Sequence, residues 1–374
     1  MLYSICIPTY NRPACVQRHL ESLRALLSDS RLHGKIEVCI SDNNENNDTK
    51  KVVEEFAAKN LFPIRYFKQQ KNVGFSRNVL SALKLATGDY VHLISDEGVH
   101  KRQMLLEITQ CLQNESPDVL FLYHKGTVPI RDPQKLVDAM LSPKGIYAGF
   151  GGGMGTFIMR RGFFEKFMRE HEALRTAIYP LGFMHIPIFL LAIKNSKKIS
   201  IVDIRNMKHE GSKQVIEREA EPKIDYPRSI ARVFVHHYYF LIKECANAGI
   251  LTKEEFARFK ENFLSALFFL LLRIRIFTPP QIYAEETKEV LANMAEVEKD
   301  YTSRRDKLTF EFYKRVVLNR MLPYHWIYML WLFYKKKIRN DPEVVDFFEY
   351  YKKHKFSKQS LLAVIPDDET GKNS

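Results

Sequence analysis

The sequence predicts an α/β protein, with a mostly parallel sheet flanked by helices over residues 1–215 and a mainly helical region over residues 216–374. Three observations predict this fold class. The first 120 residues alternate between short β-rich runs and helical patterns, which is typical of βαβ units. The stretch 214–227, QVIEREAEPKIDYP, is polar and contains prolines, as a linker between domains does. Beyond it, apolar residues recur at helical spacing.

The predicted strands are short apolar runs rich in β-branched and aromatic residues, and helices separate the first four of them. Pro13 favours the first turn of the first helix, and Gly88 is expected to end the third helix in a left-handed conformation. The predicted strands are 3–9, 35–42, 63–69, 89–95, 118–124 and 199–204. The apolar positions that mark the three helices are Val16, Leu20, Leu23 and Leu27; Val52, Val53 and Phe56; and Val79, Leu83 and Ala86.

Composition narrows the class of protein. The chain has 374 residues, 45% of them hydrophobic, so it can bury a sizeable core and is not a disordered protein. Its five cysteines show neither a disulfide framework nor zinc-ligand spacing, and residues 1–10 do not resemble a secretory signal. These features predict a protein of the reducing cytosol. The formal net charge of +13 admits nucleic acid, anionic membranes and phosphorylated substrates as partners.

Acidic residues follow two of the predicted strands. Asp42 ends the second strand, and Asp96 and Glu97 follow the apolar run that begins at Tyr90. In open parallel sheets, ligands bind beyond the carboxyl ends of the strands. Adjacent carboxylates there suit Mg²⁺, which takes one or two protein carboxylates and completes its shell with phosphate oxygens and water. A solvated turn or a helix cap is the alternative interpretation.

Three stretches occur in a characteristic order: SICIPTYNR, then EVCISDNN, then KNVGFSRNVLSALKLATGDYVHLISDEG. This series resembles the family 2 glycosyltransferases, which have the GT-A fold, and within them the likeness to abequosyltransferase-like enzymes of O-antigen synthesis is weaker. The resemblance implies a catalytic domain that binds a nucleoside-diphosphate sugar. The residues that it assigns to this donor are Pro8, Tyr10, Asn11, Arg12, Asp42, Asn72, Gly74, Arg77, Asn78, Ser95 and Asp96.

The acidic motif departs from the family pattern. Where relatives have Asp-x-Asp or three aspartates, this chain has Ser95, Asp96, Glu97 and Gly98. The resemblance implies a divalent cation, Mg²⁺ or Mn²⁺, held by Asp96, Glu97 and His209. His209 follows a strand and matches a histidine found near the diphosphate in relatives. A retaining or metal-independent variant of the same fold stays open.

The resemblance implies an inverting transfer, which needs a base to take the proton of the acceptor hydroxyl. The Glu-Asp pair that relatives place after the acceptor loop is missing, and His185 is the candidate base, although it could equally be a packed helix residue. Glu165, Glu170 and Glu172 are reserve candidates. The loop Gly151, Gly152 and Gly153 is expected to admit the acceptor or the donor sugar, and a plain strand connection is its alternative.

The C-terminal region is basic and aromatic. Residues 304–339 contain ten Lys or Arg residues against two acids, and Trp326 and Trp331 lie among them. This pattern predicts peripheral attachment to the cytoplasmic face of the cell membrane, where a lipid-linked saccharide acceptor would be found. A helical bundle with a solvated basic face is the alternative. We therefore expect a cytoplasmic glycosyltransferase of bacterial surface polysaccharide synthesis that does not bind nucleic acid; the competing hypothesis is a non-catalytic nucleic-acid-binding or membrane-binding protein.

Overall fold

The protein is described here from a computed structural model. The structure describes residues 1–59, 61–96, 100–123, 129–142, 145, 154–176, 183–204, 237–277 and 280–318. By the packing of its backbone the chain divides into two compact units, residues 1–267 and 268–374. The predicted linker at 214–227 lies outside the described residues, so the predicted domain boundary at 215 stays a prediction.

A seven-stranded sheet forms the centre of the first unit, in the order β3-β2-β1-β4-β6-β5-β7. β6 runs antiparallel to its two neighbours, and the other pairs are parallel. The interior strands β1 and β2 are buried on both faces, as their nearly continuous apolar sequences favour. The strands are β1 (Tyr3–Thr9), β2 (Ile36–Asp42), β3 (Ile64–Lys68), β4 (Tyr90–Leu93), β5 (Val119–Tyr123), β6 (Phe157–Arg160) and β7 (Ile199–Asp203).

Helices flank this sheet and follow it along the chain. Pro13 begins α1, as predicted, and α5 begins at Pro133 behind Asp132, whose carboxylate accepts a hydrogen bond from the Lys135 N–H. The helices are α1 (Pro13–Leu27), α2 (Asp48–Ala57), α3 (Phe75–Lys84), α4 (Arg102–Glu115), α5 (Pro133–Met140), α6 (Arg161–Glu170), α7 (Glu172–Thr176), α8 (His185–Asn195), α9 (Tyr238–Asn247), α10 (Lys253–Phe277), α11 (Pro280–Glu298) and α12 (Arg304–Phe312).

The predicted fold class is confirmed, with one missed strand. All six predicted strands are present, and β6 was not predicted because it follows a glycine-rich stretch and is only four residues long. It pairs with β4 through Tyr90↔Arg160 and with β5 through Phe121↔Phe157. Because β6 is antiparallel, it enters the sheet at the carboxyl edge of its parallel neighbours and leaves at their amino edge.

The predicted left-handed cap at Gly88 is wrong. α3 ends at Lys84, and Gly88 has no positive φ. A Cβ at Gly88 would lie 2.7 Å from the Ser4 Oγ and 3.0 Å from the Ser4 nitrogen. The Gly88 N–H also donates to the Ser4 Oγ (2.9 Å) and to Glu37 Oε1 (3.1 Å). Glycine is therefore needed here for close approach to β1, not for backbone conformation.

Helix α8 is buried on every side, which its apolar sequence explains. Its Lys194 pairs with the buried carboxylate of Glu255 near the start of α10, and Glu255 also accepts a hydrogen bond from the Gln134 Nε2 (3.1 Å). Desolvation opposes ionisation of Glu255, but these hydrogen bonds prevail and hold its pKa below the usual range. This carboxylate therefore joins α5, α8 and α10 within the first unit.

The described part of the second unit is helical. Phe310 of α12 is buried against Tyr301, while Leu308 and Phe312 are 61% and 51% exposed. Over the stretches that the structure describes, no helix is both long enough and apolar enough to cross a bilayer.

Candidate functional site

The carboxyl ends of three adjacent strands carry polar side chains. β2, β1 and β4 are neighbours in the sheet, and Thr9, Asp42 and Asp96 lie at or just beyond their ends. Because the three strands are parallel, their carboxyl ends meet at one edge of the sheet. The structure thus places Asp42 and Asp96, which the sequence predicted to share a site, at one edge of the sheet, together with Thr9, which was not predicted.

Asp96 is buried, with 5% of its surface exposed, and both of its carboxylate oxygens accept hydrogen bonds. Its Oδ2 accepts from the Thr9 hydroxyl at 2.7 Å. Its Oδ1 accepts from the Arg12 guanidinium at 3.3 Å, and the Ser95 hydroxyl lies 3.4 Å from the same oxygen. Arg12 is the residue immediately before α1, so this ion pair joins the end of β4 to the turn between β1 and α1.

Asp42 is completely buried, and its carboxylate is held by two donors. The Tyr66 hydroxyl donates to Oδ2 at 2.8 Å, and the Asn44 backbone N–H donates to Oδ1 at 3.0 Å. Burial raises the pKa of the Asp42 carboxyl, although these hydrogen bonds and the nearby Lys68 charge oppose the rise. The carboxylate orientation is therefore fixed by the protein before any ligand binds. Tyr66 was missed by sequence reasoning, because nothing in β3 alone indicates which strand end its hydroxyl reaches.

Amide side chains connect the loops around this edge. Asn43 donates from Nδ2 to the Asn72 Oδ1 (2.7 Å), and its own Oδ1 accepts from the Val73 N–H (2.8 Å). The Asn72 Oδ1 also accepts from the N–H of Gly74, whose φ of +81° favours glycine. Asn43 was not predicted, although it follows Asp42 directly. It holds the loop that leads into α3.

Two further predicted donor-binding residues, like Asp42 and Asp96, are enclosed by the protein instead of facing solvent. The amide of Asn78, 3% exposed, donates to the Thr9 carbonyl (3.0 Å) and accepts from the Ser41 hydroxyl (2.7 Å). Pro8 is buried within β1, where it pairs with Ser41. Both residues thus shape the edge of the sheet from within.

Other predicted residues are open to a ligand. Tyr10 is 52% exposed, and Asn11 beside it has φ of +55°. Arg77 is exposed in the first turn of α3, whose N-terminus has no side-chain cap and no acidic residue in its first turn. The backbone N–H groups of such a turn attract anions, and an arginine beside them adds positive charge. This group of residues can bind a phosphorylated ligand.

Three buried histidines form a cluster: His92 of β4, His19 of α1 and His100. The rings of His19 and His100 are 5.3 Å apart, and those of His92 and His100 are 6.1 Å apart. The Tyr3 hydroxyl lies 2.7 Å from the His92 Nδ1, and the His92 Nε2 lies 3.1 Å from the Gly155 carbonyl oxygen. Burial lowers the pKa values of His19 and His92 to about 4, so this cluster is neutral near pH 7.

His185, the candidate base, is the first residue of α8 and is 1% exposed. Its ring packs edge-on against Phe183 and Phe189. Because α8 precedes the parallel strand β7, its first turn lies towards the carboxyl edge of the sheet. Glu165, by contrast, lies on α6, which begins where β6 leaves the amino edge. It is therefore on the wrong edge to serve as the base.

The predicted cation site is not formed by the described residues. Glu97, His209 and the loop Gly151, Gly152 and Gly153 lie outside them. Within the described ranges, no group of three or more His, Cys, Asp or Glu side chains could hold a metal ion. Asp96 already has a donor on each carboxylate oxygen. The predicted cation site therefore stays a prediction, because two of its three ligands lie outside the described residues.

The fold and this edge define a GT-A-type domain, the class that the motif series implied. Residues 4–167 match the family "Glycosyl transferase family 2". The chain is 34% identical over 140 residues to abequosyltransferase RfbV of Salmonella typhimurium, and 28% identical over 127 residues to an uncharacterised glycosyltransferase of Mycoplasma pneumoniae. These matches cover 36% and 33% of this chain, and 40% and 42% of the two relatives.

Two solved structures are similar in fold. TarS 1–349 of S. aureus has a TM-score of 0.49 at 16% identity, covering 84% of this chain and 92% of that one. The mannosyltransferase PcManGT of Pyrobaculum calidifontis, solved with GDP-Man and Mn²⁺, has a TM-score of 0.46 at 14% identity, covering 90% and 86%. The match of residues 4–167 to the family 2 glycosyltransferase model confirms the resemblance seen in the sequence.

Proposed function

We propose that this protein transfers a sugar from a nucleoside-diphosphate sugar to a hydroxyl group of a saccharide in bacterial surface polysaccharide synthesis. The observation that carries the proposal is the shared edge of β2, β1 and β4, where Asp42 and the Arg12–Asp96 ion pair lie at strand ends. Asn78, the neighbour of Arg77 in α3, bonds to the Thr9 carbonyl at this edge. The family 2 match over residues 4–167 supports the reaction class, and the abequosyltransferase relative supports an O-antigen-type glycan.

In this proposal the donor lies across the carboxyl edge of the sheet. The exposed ring of Tyr10 stacks on the nucleotide base, and Asp42, completely buried with a protein donor on each oxygen, supports the strand ends beneath the base. Arg77 and the open first turn of α3 bind the diphosphate, with Arg12 nearby. Asn43, Asn72 and Asn78 hold the loops in place through the hydrogen bonds described above.

The reaction breaks the bond between the anomeric carbon and the diphosphate oxygen, and negative charge develops on the leaving group. Positive groups placed before the reaction stabilise that charge without reorganising. The acceptor oxygen forms the new bond on the opposite face of the sugar, which gives the proposed inversion. Its proton passes to a base, for which His185 remains our candidate, at the carboxyl edge but enclosed by Phe183 and Phe189.

We further propose a lipid-linked acceptor and a peripheral position on the cytoplasmic face of the membrane. The support is the basic, aromatic composition of residues 304–339. On α12, the exposed Leu308 and Phe312 share a surface with Arg304 and Arg305, the combination that suits an anionic interface. The requirement for Mg²⁺ or Mn²⁺ stays a prediction that depends on Glu97 and His209.

A transfer assay tests this function. Purified protein is incubated with bacterial lipid-linked saccharides and radiolabelled nucleoside-diphosphate sugars carrying UDP, CDP, GDP or dTDP, with and without Mn²⁺. We expect one donor to label the lipid fraction, and Arg77→Ala to reduce that labelling at least tenfold. Lys84→Ala is the matched control, because Lys84 is an exposed basic residue at the other end of α3. Equal effects of the two substitutions, or oligonucleotide binding without any transfer, would contradict the proposal.

A further inference from the structure

Asp96 braces a short turn at both of its ends. The turn runs from Thr9, the last residue of β1, to Arg12, the residue before α1. The Thr9 hydroxyl donates to one Asp96 oxygen at 2.7 Å, and the Arg12 guanidinium donates to the other at 3.3 Å. Between these two anchors lie Tyr10, which is 52% exposed, and Asn11, whose φ is +55°.

The brace holds a turn with an uncommon backbone conformation. A non-glycine residue with positive φ is sparsely populated, although asparagine adopts it more readily than most residues. No side chain caps the N-terminus of α1, because its N-cap residue is Arg12. The two hydrogen bonds that Asp96 accepts fix Thr9 and Arg12, on either side of Asn11, and thereby the direction of Tyr10.

The same contacts argue against Asp96 as a direct cation ligand. A carboxylate that binds Mg²⁺ or Mn²⁺ points an oxygen at the ion, whereas each Asp96 oxygen points at a protein donor and the side chain is 6% exposed. The Arg12 guanidinium also occupies the position of a positive counter-charge beside Oδ1. A cation at this oxygen would have to displace an arginine from a nearly buried pair.

We propose that Asp96 is a positioning residue: it holds the turn from Thr9 to Arg12 so that Tyr10 and Arg12 face the donor nucleotide, and it does not ligate a cation itself. This inference rests on the proposed function, because it assigns a role within the same donor site. It assigns any cation binding to other side chains. It also explains why a buried strand ends on a carboxylate, since β4 delivers that carboxylate to the end of β1.

The test compares nucleotide affinity in EDTA with affinity in Mn²⁺. The probe is whichever of UDP, CDP, GDP and dTDP binds the wild-type chain, measured by calorimetry. Asp96→Ala removes both hydrogen bonds of the brace and Thr9→Val removes the one at Thr9, whereas Thr9→Ser keeps the hydroxyl and is the matched control. A misplaced binding group weakens a complex strongly, and we expect the first two to weaken binding in EDTA about tenfold. Thr9→Ser should stay within about twofold of wild type, inside the usual scatter of such measurements.

A double variant that combines Thr9→Val with Asp96→Ala separates a positioning role of Asp96 from a general loss of stability. Thr9→Val and Asp96→Ala break the same brace, so their combined loss should be no greater than the larger single loss. Asp96→Asn, which keeps the size of the side chain, replaces Asp96→Ala if that variant does not fold. The factor by which Mn²⁺ improves nucleotide affinity should be the same in wild type and in the Asp96 variant.

Two results would overturn the inference. One is an Asp96 variant that binds nucleotide normally in EDTA but loses the improvement from Mn²⁺, because a direct cation ligand behaves in that way. The other is a Thr9→Val variant with unchanged affinity. If no nucleotide binds the wild type, the proposed function itself fails, and that outcome is distinct from both.

Discussion

Tyr66→Phe removes one of the two donors that hold the Asp42 carboxylate. The hydroxyl lies 2.8 Å from Oδ2, and Asp42 is completely buried, so no water replaces the lost donor without rearrangement. A hydrogen bond to an ionised group contributes about 1.5–3 kcal/mol, and one between neutral groups about 0.5–1.5 kcal/mol. The substitution should therefore reduce the free energy of unfolding by about 1.5–3 kcal/mol at a pH above the folded pKa of Asp42, where the carboxylate is ionised.

The loss in the free energy of unfolding that Tyr66→Phe causes should become smaller as the pH falls. Burial raises the pKa of Asp42 above its unfolded value, so ionisation of Asp42 opposes folding, and that penalty appears as the pH rises through the folded pKa. Tyr66 reduces the penalty because it stabilises the ionised form. Below the folded pKa the carboxyl is protonated, and the substitution should cost only about 0.5–1.5 kcal/mol.

Urea unfolding at pH 7, and at the lowest pH at which the wild type stays folded, measures both values. Tyr10→Phe is the control, since Tyr10 is 52% exposed and its hydroxyl should contribute less than about 0.5 kcal/mol. Tyr66→Phe should also raise the pH below which nucleotide binding is lost. An equal cost at both pH values would refute the reasoning that Tyr66 stabilises the ionised carboxylate.

Two further predictions concern the frame of the site. Gly88→Ala should destabilise the fold by about 1–3 kcal/mol, because its new methyl group meets β1. Gly162→Ala, in the first turn of α6 where a Cβ meets nothing within 4 Å, should stabilise it by roughly 0.4–1 kcal/mol. Urea unfolding tests both, and similar effects of the two substitutions would contradict the close approach. The lowered pKa values of His19 and His92 predict that stability falls as the pH drops from 6.5 towards about 4, because the unfolded chain binds more protons there. His19→Gln should reduce that slope, and an unchanged slope would show that His19 does not stay neutral.

The sequence was sufficient to predict six of the seven strands and the edge of the sheet at which their polar ends meet. Apolar runs in β1 and β2 end on polar residues, and parallel strands bring such ends together wherever the strand order makes them neighbours. Tyr66 and Asn43 could not be assigned in advance, because their partners are distant along the chain or across a loop. Gly88 shows the same limit, since a close approach to β1 leaves no local signal.

The candidate base illustrates a second limit. Sequence reasoning named His185 as the candidate base and kept Glu165, Glu170 and Glu172 in reserve, from residue type and from their position after the glycine-rich loop. Only the antiparallel β6 reveals that α6, with Glu165, starts at the amino edge, whereas α8 begins at the carboxyl edge. The four-residue strand β6 thus puts the start of α6, with Glu165, and the start of α8, with His185, at opposite edges of the sheet.

The most direct test of the proposed donor site is a thermal-shift panel with UDP, CDP, GDP and dTDP, each in EDTA and in Mn²⁺. A ligand at 100 times its Kd adds about 2.7 kcal/mol to the stability of the protein that it binds. We predict that one nucleotide raises the unfolding temperature of the wild type, and that Arg77→Ala lowers the shift while Lys84→Ala retains it. If none of the four nucleotides stabilises the wild-type protein in either condition, the shared edge of β2, β1 and β4 is not a nucleotide-sugar site.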